Sequence, residues 1–197
     1  MRTYIFDLLT AALFTGLFQN VIFTGGFGAT EAIRMAAKPN NLFKSAMFVT
    51  YFSVSVTVIC RCLDLIPAVR NAGTILHTLI FALVLFCVYM LTLEISLLIR
   101  CTPVTKRRLS VCALNSLVLS LPYISYKSAF TLPEALGAAV GASGAYILAI
   151  WLLHAGMEKL RQNESIPEIF KGNAALFMYT AILSLAFAGI SGKAISL

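Results

Sequence analysis

The sequence predicts an all-α integral membrane protein, and three observations carry that prediction. The 197 residues are 59% hydrophobic and 12% charged, with a mean hydropathy of +0.89. That is more apolar surface than a water-soluble domain of this size can hide. Apolar runs long enough to cross a bilayer, about 20 residues each, recur six times along the chain. The connections between them are short, so residues 1–197 read as a single polytopic membrane domain without linkers.

The first run, Thr3–Thr24, follows a single arginine and has no small-residue cleavage site after it. It is read as a retained first helix, not a removed leader. Its end stalls on Gln19, Asn20, Thr24, Gly25, Gly26 and Gly28. A helix that only had to cross lipid would not place an amide pair and glycines there. Irregular backbone is tolerated at that depth only where protein or a water-filled cavity satisfies it. Leu42–Leu63 and Thr74–Ile99 are uninterrupted. Leu109–Tyr126 is the weakest run, diluted by Asn115, Ser116, Ser120 and Pro122. Leu132–Gly156 and Asn173–Ile190 complete the set. Interruptions in runs one and four, with three runs in each half, predict a 3 + 3 inverted repeat whose broken helices one and four meet near the midplane.

The charge of +7 does not point to nucleic acid, because the basic residues sit between apolar runs, as topology signals do. After runs one, three and five come ten of them: Arg34, Lys38, Lys44, Arg100, Lys106, Arg107, Arg108, Lys159, Arg161 and Lys171. The other side holds five: Arg2, Arg61, Arg70, Lys127 and Lys193. The positive-inside rule then places both termini outside the cytoplasm of a cell (inner) membrane. In run five, Gly137, Ala138, Ala139, Gly141, Ala142, Ser143, Gly144 and Ala145 form a small-residue face. It admits close helix packing, either within the subunit, the favoured reading, or between subunits.

The last quarter carries Ile166-Pro167-Glu168-Ile169-Phe170-Lys171-Gly172 and then Ser184-Leu185-Ala186-Phe187-Ala188-Gly189-Ile190-Ser191-Gly192. With Gly137–Gly141, Ala155-Gly156-Met157 and Thr92-Leu93-Glu94, this resembles the RnfA/NqrE family, six-helix membrane subunits of Rnf and Na+-translocating NADH:quinone reductase complexes. The resemblance implies two such subunits of opposite orientation sharing a 2Fe-2S iron–sulfur cluster midway through the membrane, with one cysteine ligand in each broken helix. Matched to the family's two motifs, the first ligand position here is Thr30, after Gly28, and the second is Ser116, after Asn115. Both hold a hydroxyl in place of a thiol. Iron–sulfur clusters are held by soft thiolates, so the expectation is a chain that binds no such cluster by itself. Cys112 lies about 6 Å along the axis before Ser116, which leaves a ligand shifted by one turn open.

Five cysteines, Cys60, Cys62, Cys87, Cys101 and Cys112, imply no disulfide framework. Cys60 and Cys62 face apart on a helix, and Cys87 and Cys101 read as small buried hydrophobes. Glu94 is the acid deepest in an apolar run. It is an ion-path candidate by default, with pairing to a basic residue at the cytoplasmic interface as the equal alternative. Asp7, His77 and His154 read as polar boundary residues, without partners at metal-ligand spacing. Lys106, Arg107 and Arg108 read as an orientation signal facing anionic headgroups. No nucleotide-binding glycine loop, catalytic triad or flavin attachment motif is present. The leading expectation is a non-catalytic membrane subunit of an ion-translocating electron-transport complex, with flavin and iron–sulfur centres supplied by partners. The alternatives are a cluster-free ion or solute transporter on the same fold, or an assembly scaffold.

Overall fold

The computed structural model describes residues 2–37, 39, 42–70, 73–165, 167–168 and 171–192. Among them the chain is helical throughout, in the order α1 (Arg2–Leu13), a π-helical turn (Phe14–Phe18), α2 (Val21–Gly25), α3 (Ala29–Ala37), α4 (Leu42–Leu63), α5 (Pro67–Arg70), α6 (Thr74–Leu98), α7 (Pro103–Ala113), α8 (Ser116–Lys127), α9 (Leu132–Gln162) and α10 (Asn173–Ile190). Lys38, Lys193 and the Ile166, Ile169 and Phe170 positions of the C-terminal pattern lie outside the described residues, as does the side chain of Arg2.

Four helical segments are long and apolar enough to cross a membrane: Leu42–Leu63, Thr74–Leu98, Pro103–Lys127 and Leu132–Gln162. The first and last predicted runs are represented by shorter apolar helices, Tyr4–Phe18 and Ala174–Ile190. The first is cut short because the π turn and the kink at Gln19-Asn20 end it six residues before Thr24. Two other boundaries differ from expectation for identifiable reasons. α7 begins at Pro103, because Thr102 accepts a hydrogen bond from the Thr105 N–H at 3.4 Å and Pro103 fills the first helical position. Lys106, Arg107 and Arg108 are therefore helical. α9 runs on to Gln162 and carries Lys159 and Arg161 in its last turn, where cations suit the helix dipole. Pro122 does not interrupt anything; it is buried inside α8.

The longest helix, α9, is the centre of the bundle, packed against α1, the π turn, α2, α3, α4, α8 and α10. Its small residues explain why. A Cβ added at Gly137 would collide with the Leu8 carbonyl, one at Gly141 with the Ala12 carbonyl, and one at Gly156 with the Tyr179 ring. The small-residue face is thus used inside the subunit, where close backbone approach replaces the hydrophobic drive that lipid does not supply. Gly144, with nothing within 4 Å, lies off that contact. Tyr146, Ile150 and Leu153 of α9 meet Phe52 of α4, Phe81 of α6 and Leu117 of α8 in the fully buried core.

Candidate functional site

Two chain breaks, 88 residues apart in sequence, meet at a part-buried contact. In the first, Gly26 and Gly28 take left-handed φ of 71° and 76°, which side-chain-bearing residues rarely adopt. In the second, Leu114 and Asn115 part α7 from α8 without any positive φ. The buried Gly28 N–H donates to Ser116 Oγ at 2.9 Å. A Cβ on Gly28 would stand 2.9 Å from Asn115 Oδ1 and 3.1 Å from Leu117 Cβ. Glycine is therefore required twice there, for its φ and for the closeness of the second break.

Each break carries an asparagine in the same local role. Asn115 Oδ1 accepts from the Leu117 N–H at 3.1 Å and caps α8; Asn20 Oδ1 accepts from the Ile22 N–H at 3.3 Å and caps α2. Such caps satisfy donors that a helix start otherwise leaves orphaned. Asn20, fully buried, also donates to the Ala145 carbonyl of α9 at 3.4 Å. Asn115 Nδ2 is buried with no hydrogen-bond partner among the described residues. The meaning of Asn20 beyond a helix interruption is not legible in the sequence on its own; its match to the Asn115 cap is the signal that could show it.

Thr30, on the first turn of α3, and Ser116, at the start of α8, are both exposed. Beside Ser116 opens an apolar cavity of about 400 Å³ lined by Phe27, Thr74, Ile75, Thr78, Leu119, Ser120 and Tyr123. Cys112 is elsewhere. Its thiol is buried and donates to the Ser45 carbonyl of α4 at 3.6 Å, and it borders a separate cavity with Glu31, Arg34, Arg107 and Arg108. The reason is helical phase combined with the break: Cys112 ends α7 on the face that meets α4, while Ser116 starts a new helix. The junction thus offers the Ser116 hydroxyl, already accepting from Gly28, and the Thr30 hydroxyl lies two residues along the chain from Gly28. They do not fit a thiolate-held cluster, and no group of three or more His, Cys, Asp or Glu side chains converges among the described residues.

The other candidates are scattered. Glu94 is exposed on α6 and makes no ion pair among the described residues; it does not join the junction. Asp7 is half-buried and borders a cavity of about 400 Å³ with Thr15, Gln19 and Glu134. His154 Nδ1 lies 2.8 Å from the Ala36 carbonyl and Nε2 3.9 Å from Glu158, tying α9 to α3. His77, in the first turn of α6, is fully buried, 3.5 Å from Asp64 and stacked on Tyr126. Cys60 is buried and Cys62 exposed, as opposite helix faces require, but Cys87 is exposed and Cys101 only half-buried, so those two are not core hydrophobes of this chain.

No family model matches the chain. It is 24% identical over 183 residues, 90% of its own length and 93% of the relative's, to a Pasteurella multocida protein named as a subunit of an ion-translocating oxidoreductase complex. It is 32% identical over 84 residues, 43% of each chain, to a Clostridium ljungdahlii protein named as a subunit of a proton-translocating ferredoxin:NAD(+) oxidoreductase complex. Over nearly its whole length, then, the chain resembles the RnfA subunits of ion-translocating oxidoreductase complexes, members of the RnfA/NqrE family.

Proposed function

We propose that this chain is a multi-pass cell-membrane subunit of an Rnf-type ion-translocating electron-transport complex, without cluster ligands of its own. The observation that carries the reading is the junction at which Gly28 of one broken helix is hydrogen-bonded to Ser116 of another. Broken helices that meet are how membrane proteins build sites at depth, since irregular backbone there must be satisfied by other protein or by a cavity. The relatives' names supply the kind of complex. In this reading the halves form a 3 + 3 inverted repeat, and the twin caps at Asn20 and Asn115 support it. Both termini lie outside the cytoplasm, and a homologous subunit of inverted topology covers the exposed hydroxyls of Thr30 and Ser116. Flavin and iron–sulfur subunits bring the redox chemistry.

A second reading has its own support. With hydroxyls at both ligand positions and an apolar cavity beside Ser116, the same fold suits a cluster-free ion or solute transporter. Purification in mild detergent separates the two. Coloured flavin and iron–sulfur subunits that travel with the chain support the complex; a colourless homo-oligomer supports the transporter and defeats the leading reading.

A further inference from the structure

Where α4 ends and α6 begins, a second polar group lies apart from the helix junction. Arg61 Nη1 is 3.3 Å from Asp64 Oδ2, and Arg61 Nη2 donates to the Phe130 carbonyl. Arg61 and Asp64 face an open cavity of about 430 Å³ that Leu65, Arg70, Tyr126 and Ala129 complete. Behind Asp64, with no exposed surface, sits His77.

Both ring nitrogens of His77 face acceptors. Nδ1 is 3.5 Å from the Gly73 carbonyl oxygen, and Nε2 is 3.5 Å from Asp64 Oδ1. A neutral imidazole has one N–H and one lone pair, so one nitrogen would aim its lone pair at an oxygen; an imidazolium donates at both. Nε2 and Asp64 Oδ1 are both buried, and neither makes a hydrogen bond among the described residues. The ring also lies on Tyr126, with centroids 3.9 Å apart and 23° between the planes, and meets the Phe81 ring at 5.9 Å. An aromatic face attracts a cation placed over it.

We infer that His77 and Asp64 form a proton-binding couple. His77 holds a proton between the Gly73 carbonyl and the Asp64 carboxylate, and Asp64 connects it to water in the cavity. Release moves the Nε2 proton to Asp64 Oδ1 and on from that carboxyl to a cavity water. The imidazole is left neutral with its lone pair on Nε2, and the carboxylate is restored. The charged and titratable groups around the couple are Arg61 and the buried Cys60 on α4, Arg70 on α5 and Tyr126 on α8, with Glu134 of α9 facing Arg61. The basic residues of α7 are remote: α7 meets α6 where Tyr89 and Ser110 share a hydrogen bond of 2.9 Å, twelve residues or about 18 Å along α6 from His77. The inference stands on this cluster alone and does not depend on which complex the chain serves.

The chain has two histidines, so the full-length His154→Gln protein, labelled with 15N-histidine in detergent micelles, reports His77 alone. At about pH 6, inside the range where histidines titrate, the nitrogen spectrum is expected to show two N–H-bearing ring nitrogens. Adding Asp64→Asn should remove one of those N–H signals. A neutral ring with Asp64 intact, or an imidazolium unchanged by Asp64→Asn, would overturn the inference. If Asp64→Asn does not fold, Arg61→Gln serves instead: it leaves the couple in place, so both N–H signals should persist, and the loss of one would show that the His77 proton depends on Arg61 and not on Asp64, which sinks the proposal.

Discussion

The two breaks that meet at Gly28 and Ser116 are made differently. The first is conformational: a π turn, a kink at Asn20 and two glycines with φ near 70°. The second uses ordinary backbone, with Leu114 at φ −81° and Asn115 at φ −69°, and only the Asn115 cap and the Ser116 hydroxyl distinguish it. Backbone constraint is concentrated in the first break, whereas the second rests on side chains alone. A site assembled this way can change its chemistry by substitution at Ser116 without disturbing the backbone that holds it open, because the strained positions belong to the other break.

Replacing the glycines is expected to have the largest effect and tests that division. Gly26→Ala should cost only the left-handed conformation, about 1–2 kcal/mol, since a Cβ there meets nothing within 4 Å. Gly28→Ala incurs the same strain and also pushes a methyl against Asn115 and Leu117. Overpacking adds about 1–3 kcal/mol. Thermal unfolding of both variants in mild detergent should therefore rank Gly28→Ala clearly below Gly26→Ala. Equal losses would mean that the second break does not press on the first.

The asparagines come next. Asn115→Ala removes a cap, at about 1 kcal/mol. Asn20→Ala removes a cap and the bond to Ala145 of α9, and the second loss adds about 1 kcal/mol. Asn115→Ser should restore most of the loss, because serine also caps. If the two alanine variants unfold together, the contact of Asn20 with the central helix contributes nothing, and the two breaks are more alike than their geometry indicates.

Much of this is legible from residue types. Glycines at 25, 26 and 28 and the polar pair at 115–116 announce the breaks, because few other reasons place such residues in apolar runs. The small-residue face of α9 likewise announces a close helix contact. What sequence does not give is pairing across distance. Nothing local says that Gly28 will face Ser116, or that the thiol of Cys112 will turn toward Ser45. The burial of His77 is hidden for the same reason: it opens α6, and its partners Asp64 and Tyr126 arrive from the end of α4 and from α8. Charged residues at helix ends mislead in the other direction. Lys106–Arg108 and Lys159–Arg161 look like loops to hydropathy, yet a threonine–proline start and a favourable dipole extend the helices through them.

The smallest expected effect is the most diagnostic for cofactor chemistry. Cys112 is the cysteine nearest the junction in sequence, one turn before Ser116, so a thiolate ligand supplied from there would sit one turn away from the Ser116 hydroxyl. Its geometry argues against such a ligand, because the thiol donates to the Ser45 carbonyl and borders the cavity of Glu31 and Arg34, while Ser116 borders that of Phe27 and Tyr123. Cys112→Ser keeps a donor for Ser45, so the iron content of the purified complex and its low-temperature paramagnetic resonance spectrum after reduction should not change. Thr30→Cys together with Ser116→Cys, co-expressed with a partner contributing two cysteines, should raise bound iron, and either replacement alone should do less, because thiolates must come from both breaks. A cluster signal lost on Cys112→Ser would reverse the comparison. The second break would then hold the metal from its other side, through α7, and the hydroxyl at 116 would be a bystander.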